Sequence, residues 1–193
     1  MSSRESILKA LEKETLKPET HPEITLDAIQ YENPIEVFKE NCELAGAQVF
    51  IPSDPHCPKA IVHELFPDCS SILSYAEGIE SNVNLSEVKS GHDLNSLELT
   101  VIKGELGVCE NGAIWVDIKD LRFRSSLFIC QHLVILLKAG SIVHNLHEAY
   151  EKVDFKGSNY GLFISGPSKT ADIEQALVIG AHGPRSCSVI IEP

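Results

Sequence analysis

The chain has 193 residues, of which 43% are hydrophobic, and a formal net charge of −12 at pH 7. This length suits one domain with a substantial core and is short for two. The 16 lysine and arginine residues are scattered along an acidic chain, which argues against nucleic acid and anionic membranes as partners. The N-terminus lacks the apolar core of a signal peptide, and no apolar stretch approaches about 18 residues. We therefore expect a soluble, cytoplasmic protein.

The cysteines are dispersed, and no two of them form a Cys-x-x-Cys pair. They occupy positions 42, 57, 69, 109, 130 and 187. In a chain of this length without a secretory signal, such dispersion indicates reduced and mainly structural thiols. It also argues against an iron–sulfur cluster or a zinc ribbon built from local motifs. We expect no metal site and no intrinsic cofactor.

The N-terminal part of the chain predicts an appendage followed by one domain. The predicted boundary divides a helix and an extended arm, residues 1–32, from an α/β domain, residues 33–193. Apolar residues spaced among charged ones favour a short amphipathic helix over residues 3–14, and the polar, proline-punctuated remainder favours the arm. Asn33 and Pro34 suit the N-cap and the first position of the helix that opens the domain.

Strand-like and helix-like segments alternate through this domain. The predicted strands span residues 47–51, 71–74, 96–103, 106–109, 113–117, 132–138, 161–165 and 186–191, and the later predicted helices span 59–66, 144–153 and 171–180. Asn111-Gly112 between two strand-like runs is a strong hairpin signal, because a type I′ turn needs positive φ at both central residues. The alternation predicts an α/β fold with a sheet that is parallel in its centre and carries an inserted hairpin.

The C-terminal end of the chain predicts a βαβ unit. A strand over residues 161–165 stops before Pro167, because proline lacks the N–H that a ladder needs. Apolar residues then recur at helical spacing over 171–180, with Thr170 placed as the N-cap. A strand over 186–191 closes the unit, so the two strands should be parallel. Ligands of such sheets bind beyond the carboxyl ends of the strands, which makes the intervening loop our first candidate site.

This candidate loop is dense in residues that can bind a ligand. It contains Ser165, Gly166, Pro167, Ser168, Lys169 and Thr170. Phe163 and Ser168 occupy the two glycine positions of a phosphate-binding P-loop, so that backbone cradle is missing. Hydroxyls and a lysine at a helix N-terminus favour an anion, while acidic residues in the following turn favour a carboxylate or a neutral polar ligand over a pyrophosphate. The alternative is a turn that merely feeds a capped helix.

A carboxylate stands beside the predicted hairpin turn. Glu110 directly precedes Asn111 and Gly112, where a rigidly held backbone suits a nucleophile or a general base. The alternative is an exposed carboxylate at a hairpin tip, the commoner situation for an acidic residue. The neighbouring Cys109 alternates to the opposite face of the strand and is predicted to lie in the core.

Three histidines complete the candidates. His144 and His147 have the i, i+3 spacing of a helical metal-binding pair, but no third ligand is identifiable, which favours surface histidines. His182 and Gly183 lie in the loop that leads to the last strand. There His182 either lines a crevice or bonds to the backbone.

Two segments resemble a known family. Residues 163–174 and 177–184 read FISGPSKTADIE and LVIGAHGP, and they closely resemble the C-terminal signature of the lactate-utilisation protein C family, the LUD domain proteins. Glu110-Asn111-Gly112 stands where that family usually has Glu-Thr-Gly. Together with Cys109 it is similar to the Ser-Glu-Asn-Gly of CoA transferases, whose glutamate attacks an acyl-CoA. The resemblance implies a Rossmann-like three-layer sandwich of the ribose-5-phosphate isomerase, glucosamine-6-phosphate deaminase and CoA-transferase superfamily.

The same resemblance implies a role in oxidising L-lactate to pyruvate. The chain would be a cluster-free subunit or accessory protein, working beside two iron–sulfur partner proteins that hold all the clusters. It would bind a small organic acid, an acyl-CoA or a partner subunit through Glu110, the candidate loop and His182. Self-association and independent catalysis stay open. The alternatives are a stand-alone acyl or CoA transferase or sugar-phosphate isomerase that uses Glu110, and a non-catalytic ligand-binding or assembly module.

Overall fold

The computed structural model describes residues 3–11, 27–54, 58–117, 119, 121–155, 160–171, 177–180 and 182–193. The helices are α1 Ser3–Leu11, α2 Pro34–Leu44, α3 Pro58–Leu65, α4 Ser126–Ile129 and α5 Leu146–Lys152, with 3-10 turns at Gly91–Leu94 and Ala139–Ser141. The strands are β1 Gln48–Phe50, β2 Ile72–Ser74, β3 Leu99–Gly104, β4 Leu106–Val108, β5 Ala113–Asp117, β6 His132–Lys138, β7 Ile142–Val143, β8 Gly161–Ile164, β9 Lys169–Ala171, β10 Leu177–Ile179 and β11 Ser186–Glu192.

A five-stranded sheet in the order β1-β11-β6-β3-β2 forms the centre of the domain. Every neighbouring pair in it is parallel. His132, the first residue of β6, is the register partner of Ser186 on β11 and of Leu99 on β3, so the amino ends of these three strands are level. The prediction of an α/β fold with a mostly parallel central sheet is confirmed.

Both faces of this sheet are buried, as is usual for parallel strands covered by helices. Strand β6 contributes Leu133, Ile135 and Leu137 to one core cluster and Val134 and Leu136 to another. Phe38 of α2 packs in the first cluster and Val62 of α3 in the second. The two helices therefore cover opposite faces, and the apolar run of β6 is continuous because each face needs its own apolar residues.

The predicted hairpin is present and belongs to a second, four-stranded sheet in the order β7-β4-β5-β8. Strand β4 pairs antiparallel with β5, and Val108 and Ala113 are register partners. The connecting loop therefore has four residues, 109–112, instead of a two-residue type I′ turn. Gly112 supplies the positive φ, +62°, and its N–H donates to the carbonyl of Val108 at 3.0 Å.

The prediction of a C-terminal βαβ unit is wrong. Strand β8 pairs antiparallel with β5 in the second sheet, whereas β11 lies in the central sheet. In place of a helix over 171–180, β9 and β10 pair antiparallel with each other. The rest of the predicted helix, residues 172–176, lies outside the described residues. The apolar run Leu-Val-Ile of β10 has strand length and β-branched residues, and a short run of that kind does not distinguish strand from helix.

The remaining helices follow the sequence closely. Helix α2 begins at Pro34 as predicted, although Asn33 makes no side-chain capping bond. Helix α5 begins two residues later than predicted, because Asn145 is its N-cap and accepts the N–H of Glu148. Helix α1 has no buried residue, and residues 12–26 lie outside the described part, so the division at residue 33 stays a prediction. None of the described helices is long and apolar enough to span a membrane.

Candidate functional site

The candidate loop lies at the amino edge of the central sheet, opposite to the predicted carboxyl edge. The N–H of Ser168 donates to the carbonyl of Pro184, two residues before β11, at 2.9 Å. Pro167 lies against Gly46, two residues before β1, where an added Cβ would be 3.4 Å from the proline ring. The prediction of a carboxyl-edge loop fails because β8, which leads into it, belongs to the second sheet.

Three contacts fasten this loop to the hairpin and to the end of α2. The hydroxyl of Ser165 donates to the carbonyl of Asn111 at 3.1 Å, and Nζ of Lys169 donates to the carbonyl of Ala45 at 2.5 Å. Gly166 has φ +71°, and an added Cβ there would lie 2.2 Å from the Ala45 oxygen. Only glycine allows this approach of two backbones. The loop is therefore a fixed part of the fold.

The structure places the Glu110 carboxylate at the start of α5. Its Oε1 accepts the N–H of Leu146 at 3.0 Å, and the N–H of Glu110 donates to the carbonyl of His144 at 3.2 Å. Among the hydrogen bonds of the described residues, the link from Glu110 to the candidate loop runs through the backbone of its neighbour Asn111, whose carbonyl accepts from Ser165. Gly112 packs on α2, where an added Cβ would be 2.6 Å from the amide nitrogen of Cys42. Each of these contacts gives the hairpin tip a structural role.

Two adjoining cavities lie beside the candidate loop, and we call them together the loop cleft. The first, of about 260 Å³, is lined by Leu127, Phe128, Leu133, Leu162, Phe163, Ile164, Gly166, Pro167, Ser168, Lys169, His182, Gly183 and Pro184. The second, of about 570 Å³, is lined by Ser125, Phe128, Ile129, Cys130, Gln131, Gly180, His182, Gly183 and Arg185. The structure therefore brings six of the predicted site residues to one cleft, while Glu110, Asn111, Gly112, Ser165 and Thr170 do not line it.

The described lining of the loop cleft is positive in an acidic protein. Its ionisable side chains are Lys169, His182, Arg185 and the thiol of Cys130, and none of the described lining residues is acidic. Burial raises the pKa of Cys130 to about 11, so this thiol stays protonated and is a poor nucleophile at neutral pH. Exposed Lys169 and Arg185 provide charge for an anion, and Ser168 adds a hydroxyl.

Comparison with known proteins identifies the family. The model of the LUD domain matches residues 89–191, a stretch that includes the loop cleft. The chain belongs to the LUD domain family. Uncharacterized protein YkgG of Escherichia coli K12 is 30% identical to it over 183 residues, which cover 90% of this chain and 74% of that protein. Lactate utilization protein C of Geobacillus thermodenitrificans is 24% identical over 157 residues, which cover 76% of this chain and 62% of that protein.

A solved structure agrees with the fold of this LUD domain. The crystal structure of a DUF162 family protein from Deinococcus radiodurans superposes with a TM-score of 0.64 at 17% sequence identity. The superposition covers 85% of this chain and 99% of that one. At this identity the likeness establishes the fold alone.

The two histidines considered as a metal pair do not share a helical face in this LUD domain. His144 precedes the N-cap of α5, and its Nδ1 accepts the N–H of Tyr31 at 3.0 Å. His147 is exposed in the first turn of the helix. Among the described residues, no three His, Cys, Asp or Glu side chains are grouped so that they could hold a metal ion.

Sequence reasoning missed Phe128 and Arg185, which line the loop cleft. Phe128 lies in the four-residue helix α4, within a segment whose pattern favours neither helix nor strand, and it is 45% exposed. An exposed large aromatic residue beside polar ones is a usual feature of ligand sites, but exposure cannot be read from a sequence. Arg185 directly follows the Gly183-Pro184 pair, so its position after a predicted site residue was the available signal.

Proposed function

We propose that this LUD domain protein is a subunit or accessory protein of an L-lactate utilisation system, acting with iron–sulfur partner proteins that oxidise L-lactate to pyruvate. The relative from Geobacillus thermodenitrificans carries the name lactate utilization protein C, and it supports the assignment to lactate utilisation. The absence of any Cys-x-x-Cys pair from the sequence supports placing the clusters on partner proteins.

Within such a system, the loop cleft would bind a small organic acid. The observation that carries this proposal is the grouping of Lys169, His182 and Arg185 along a cleft whose described lining has no acidic side chain. A carboxylate gains charge-assisted hydrogen bonds from such groups. Phe128, which is 45% exposed, supplies apolar surface for the carbon skeleton. Nζ of Lys169 donates to the carbonyl of Ala45, which holds this lining side chain in one position.

Calorimetric titration of the purified chain with L-lactate and with pyruvate tests this site. We expect Lys169→Gln to weaken binding by about tenfold or more, because a charge-assisted hydrogen bond contributes about 1.5–3 kcal/mol. Lys103→Gln is the matched control, since Lys103 is an exposed lysine on β3 that pairs with Glu77 at 3.7 Å, away from the cleft. Equal losses in both variants, or no binding of either acid to the unmodified chain, would contradict the proposed site.

A second assay tests the subunit role. We expect the chain alone to leave L-lactate unoxidised and activity to require added iron–sulfur partners, measured by reduction of an artificial electron acceptor. If the partners oxidise lactate equally fast without the chain, it is not a component of that activity, and a ligand-binding module is the better description.

The acyl-transferase alternative is less well supported by the geometry. Its nucleophile would be Glu110, which is exposed but hydrogen-bonded to the N–H of Leu146 and does not line the loop cleft. Turnover of an acyl-CoA by the purified chain, abolished by Glu110→Gln, would favour the transferase over the subunit role.

A further inference from the structure

A third cavity lies at the same edge of the central sheet, on the other side of Arg185. It has a volume of about 410 Å³, and we call it the His132 pocket. His132 begins β6, and its register partners place Glu98 and Arg185, the residues immediately before β3 and β11, on either side of it. Three neighbouring strands thus bring an imidazole, a carboxylate and a guanidinium to one opening, with the ring of Phe66 as an apolar wall.

The imidazole of His132 is held by two neighbours. Its Nδ1 lies 2.8 Å from the hydroxyl of Ser186, and its ring centroid lies 5.0 Å from that of Phe66. Burial lowers the pKa of His132, the charge of Arg185 lowers it further, and Glu98 opposes both. These influences together favour the neutral form of the ring. When Ser186 donates to Nδ1, the ring hydrogen is on Nε2, which becomes a donor toward the pocket.

The aliphatic part of the Arg185 side chain packs against Gly180. Gly180 has φ +73°, and an added Cβ there would lie 2.6 Å from Cγ of Arg185, so the glycine leaves room for the arginine stem. Within the described part of the chain, no carboxylate lies within 4.0 Å of this guanidinium. Arg185 lines the pocket, and its guanidinium carries the bidentate donors that a carboxylate ligand needs.

On the other side of His132 from Arg185, the pocket wall is acidic. Oε2 of Glu98 accepts the N–H of Ser70 at 2.5 Å and the N–H of Ser71 at 3.2 Å, and these bonds lower the pKa of Glu98. Asp68 also lines the pocket. Fixed negative charge on this wall repels a dianion such as phosphate, and it accepts a hydrogen bond from a hydroxyl or an ammonium group.

We propose that the His132 pocket is a second ligand site, which takes a small monocarboxylate that carries a hydroxyl or ammonium group next to its carboxyl group. The carboxylate pairs with Arg185 and accepts a hydrogen bond from Nε2 of His132, and the neighbouring donor faces Glu98. This site stands on its own cavity and shares with the loop cleft only Gln131 and Arg185. It does not require the role proposed for the cleft, but ligands at the two sites would compete for Arg185.

Three acids of nearly equal size test whether the site needs a hydrogen-bond donor next to the carboxylate of its ligand. L-lactate carries a hydroxyl, L-alanine an ammonium group and propionate neither, and inorganic phosphate serves as the dianion. We expect the His132 ring protons of the full-length chain to report binding of lactate, alanine or both that is about tenfold or more tighter than that of propionate and phosphate in NMR titrations. Binding should also raise the pKa of His132 by about 1, followed by NMR of its ring protons, because an anion stabilises the imidazolium. The proposal is overturned if propionate or phosphate binds equally well, or if no probe moves the His132 resonances.

Substitutions distinguish binding in this pocket from binding in the loop cleft. Followed at the His132 ring protons, binding of the preferred acid should be about tenfold weaker in Glu98→Gln and unchanged in Lys169→Gln, and His132→Gln should lose one of the binding events seen by calorimetry. The reverse pattern, with loss only in the Lys169 variant, would place the acid in the loop cleft and refute the second site. Should the His132 variant fail to fold, the NMR titration of the unmodified chain still decides between these outcomes.

Discussion

Gly166→Ala tests whether the candidate loop is fixed to α2. The residue has φ +71°, and the added Cβ would lie 2.2 Å from the oxygen and 2.9 Å from the carbonyl carbon of Ala45. A left-handed conformation costs about 1–2 kcal/mol for a residue with a Cβ. Relief of the clash requires two backbone segments to separate, and overpacking of this kind costs about 1–3 kcal/mol. We expect a loss of about 2–5 kcal/mol from the free energy of unfolding.

Two other glycines provide matched controls for this loss. Gly78 has φ +77° with nothing within 4 Å of an added Cβ, so Gly78→Ala should show the conformational cost alone. Gly140 also has open space but no positive φ, so Gly140→Ala should be neutral or slightly stabilising. Urea denaturation of the four proteins gives the differences directly. A Gly166 variant as stable as the Gly78 variant would show that the loop moves freely, and the fixed geometry of the cleft would be refuted.

Three further changes test the core, a helix cap and the thiols. Leu99→Ala, at a fully buried position, should lower the free energy of unfolding by about 2–5 kcal/mol in urea denaturation. Leu44→Ala, at a position 84% exposed, should change it by no more than about 0.5 kcal/mol. Similar losses in the two variants would contradict the core assignment. Asn145→Ala removes the N-cap of α5 and should lower the free energy of unfolding by about 0.5–2 kcal/mol, and an unchanged urea midpoint would show that the cap is dispensable. Burial raises the pKa of Cys42 and of Cys187 to about 12, while the pKa of an unfolded thiol is about 8.5. The unfolded state therefore loses its thiol protons first as the pH rises, which stabilises it relative to the folded state. The urea concentration at the unfolding midpoint should decrease when the pH is raised from 8 to 10. A constant midpoint would contradict the assigned burial.

The central sheet was predictable because its strands are marked locally. Strand β6 is a near-continuous apolar run, and β11 repeats that pattern, as buried parallel strands do. The hairpin was marked by Asn111-Gly112. Membership of β8 in the second sheet was not predictable, because it depends on pairing with β5, which lies more than 40 residues earlier in the chain. The error over β9 and β10 had a local cause. A segment with so few apolar residues is equally compatible with the period of a helix and the period of a strand.

The lining of the candidate sites could be predicted where its residues are consecutive, but not where separate strands bring them together. Gly166 to Lys169 form one stretch, and all four line the loop cleft. His132 lay unnoticed at the start of a predicted strand. Its neighbours Glu98 and Arg185 are far from it in sequence, and they meet it only because three parallel strands start at the same level.

The second sheet gives a physical reason why the candidate sites lie at the amino edge. Strand β3 passes into β4 through the single residue Glu105, and β6 passes into β7 through Ala139–Ser141. The carboxyl ends of two central strands therefore continue into another sheet and leave little loop there to bind a ligand, although open α/β sheets usually bind at that edge. At the amino edge, the loops before β6 and β11 bring Gln131 and Arg185 together, and the N–H of Arg185 donates to the carbonyl of Gln131 at 2.8 Å. From this arrangement we expect ligand binding to survive Lys103→Gln on β3 and to be lost in variants at the amino edge. The opposite result would place the ligand at the carboxyl edge.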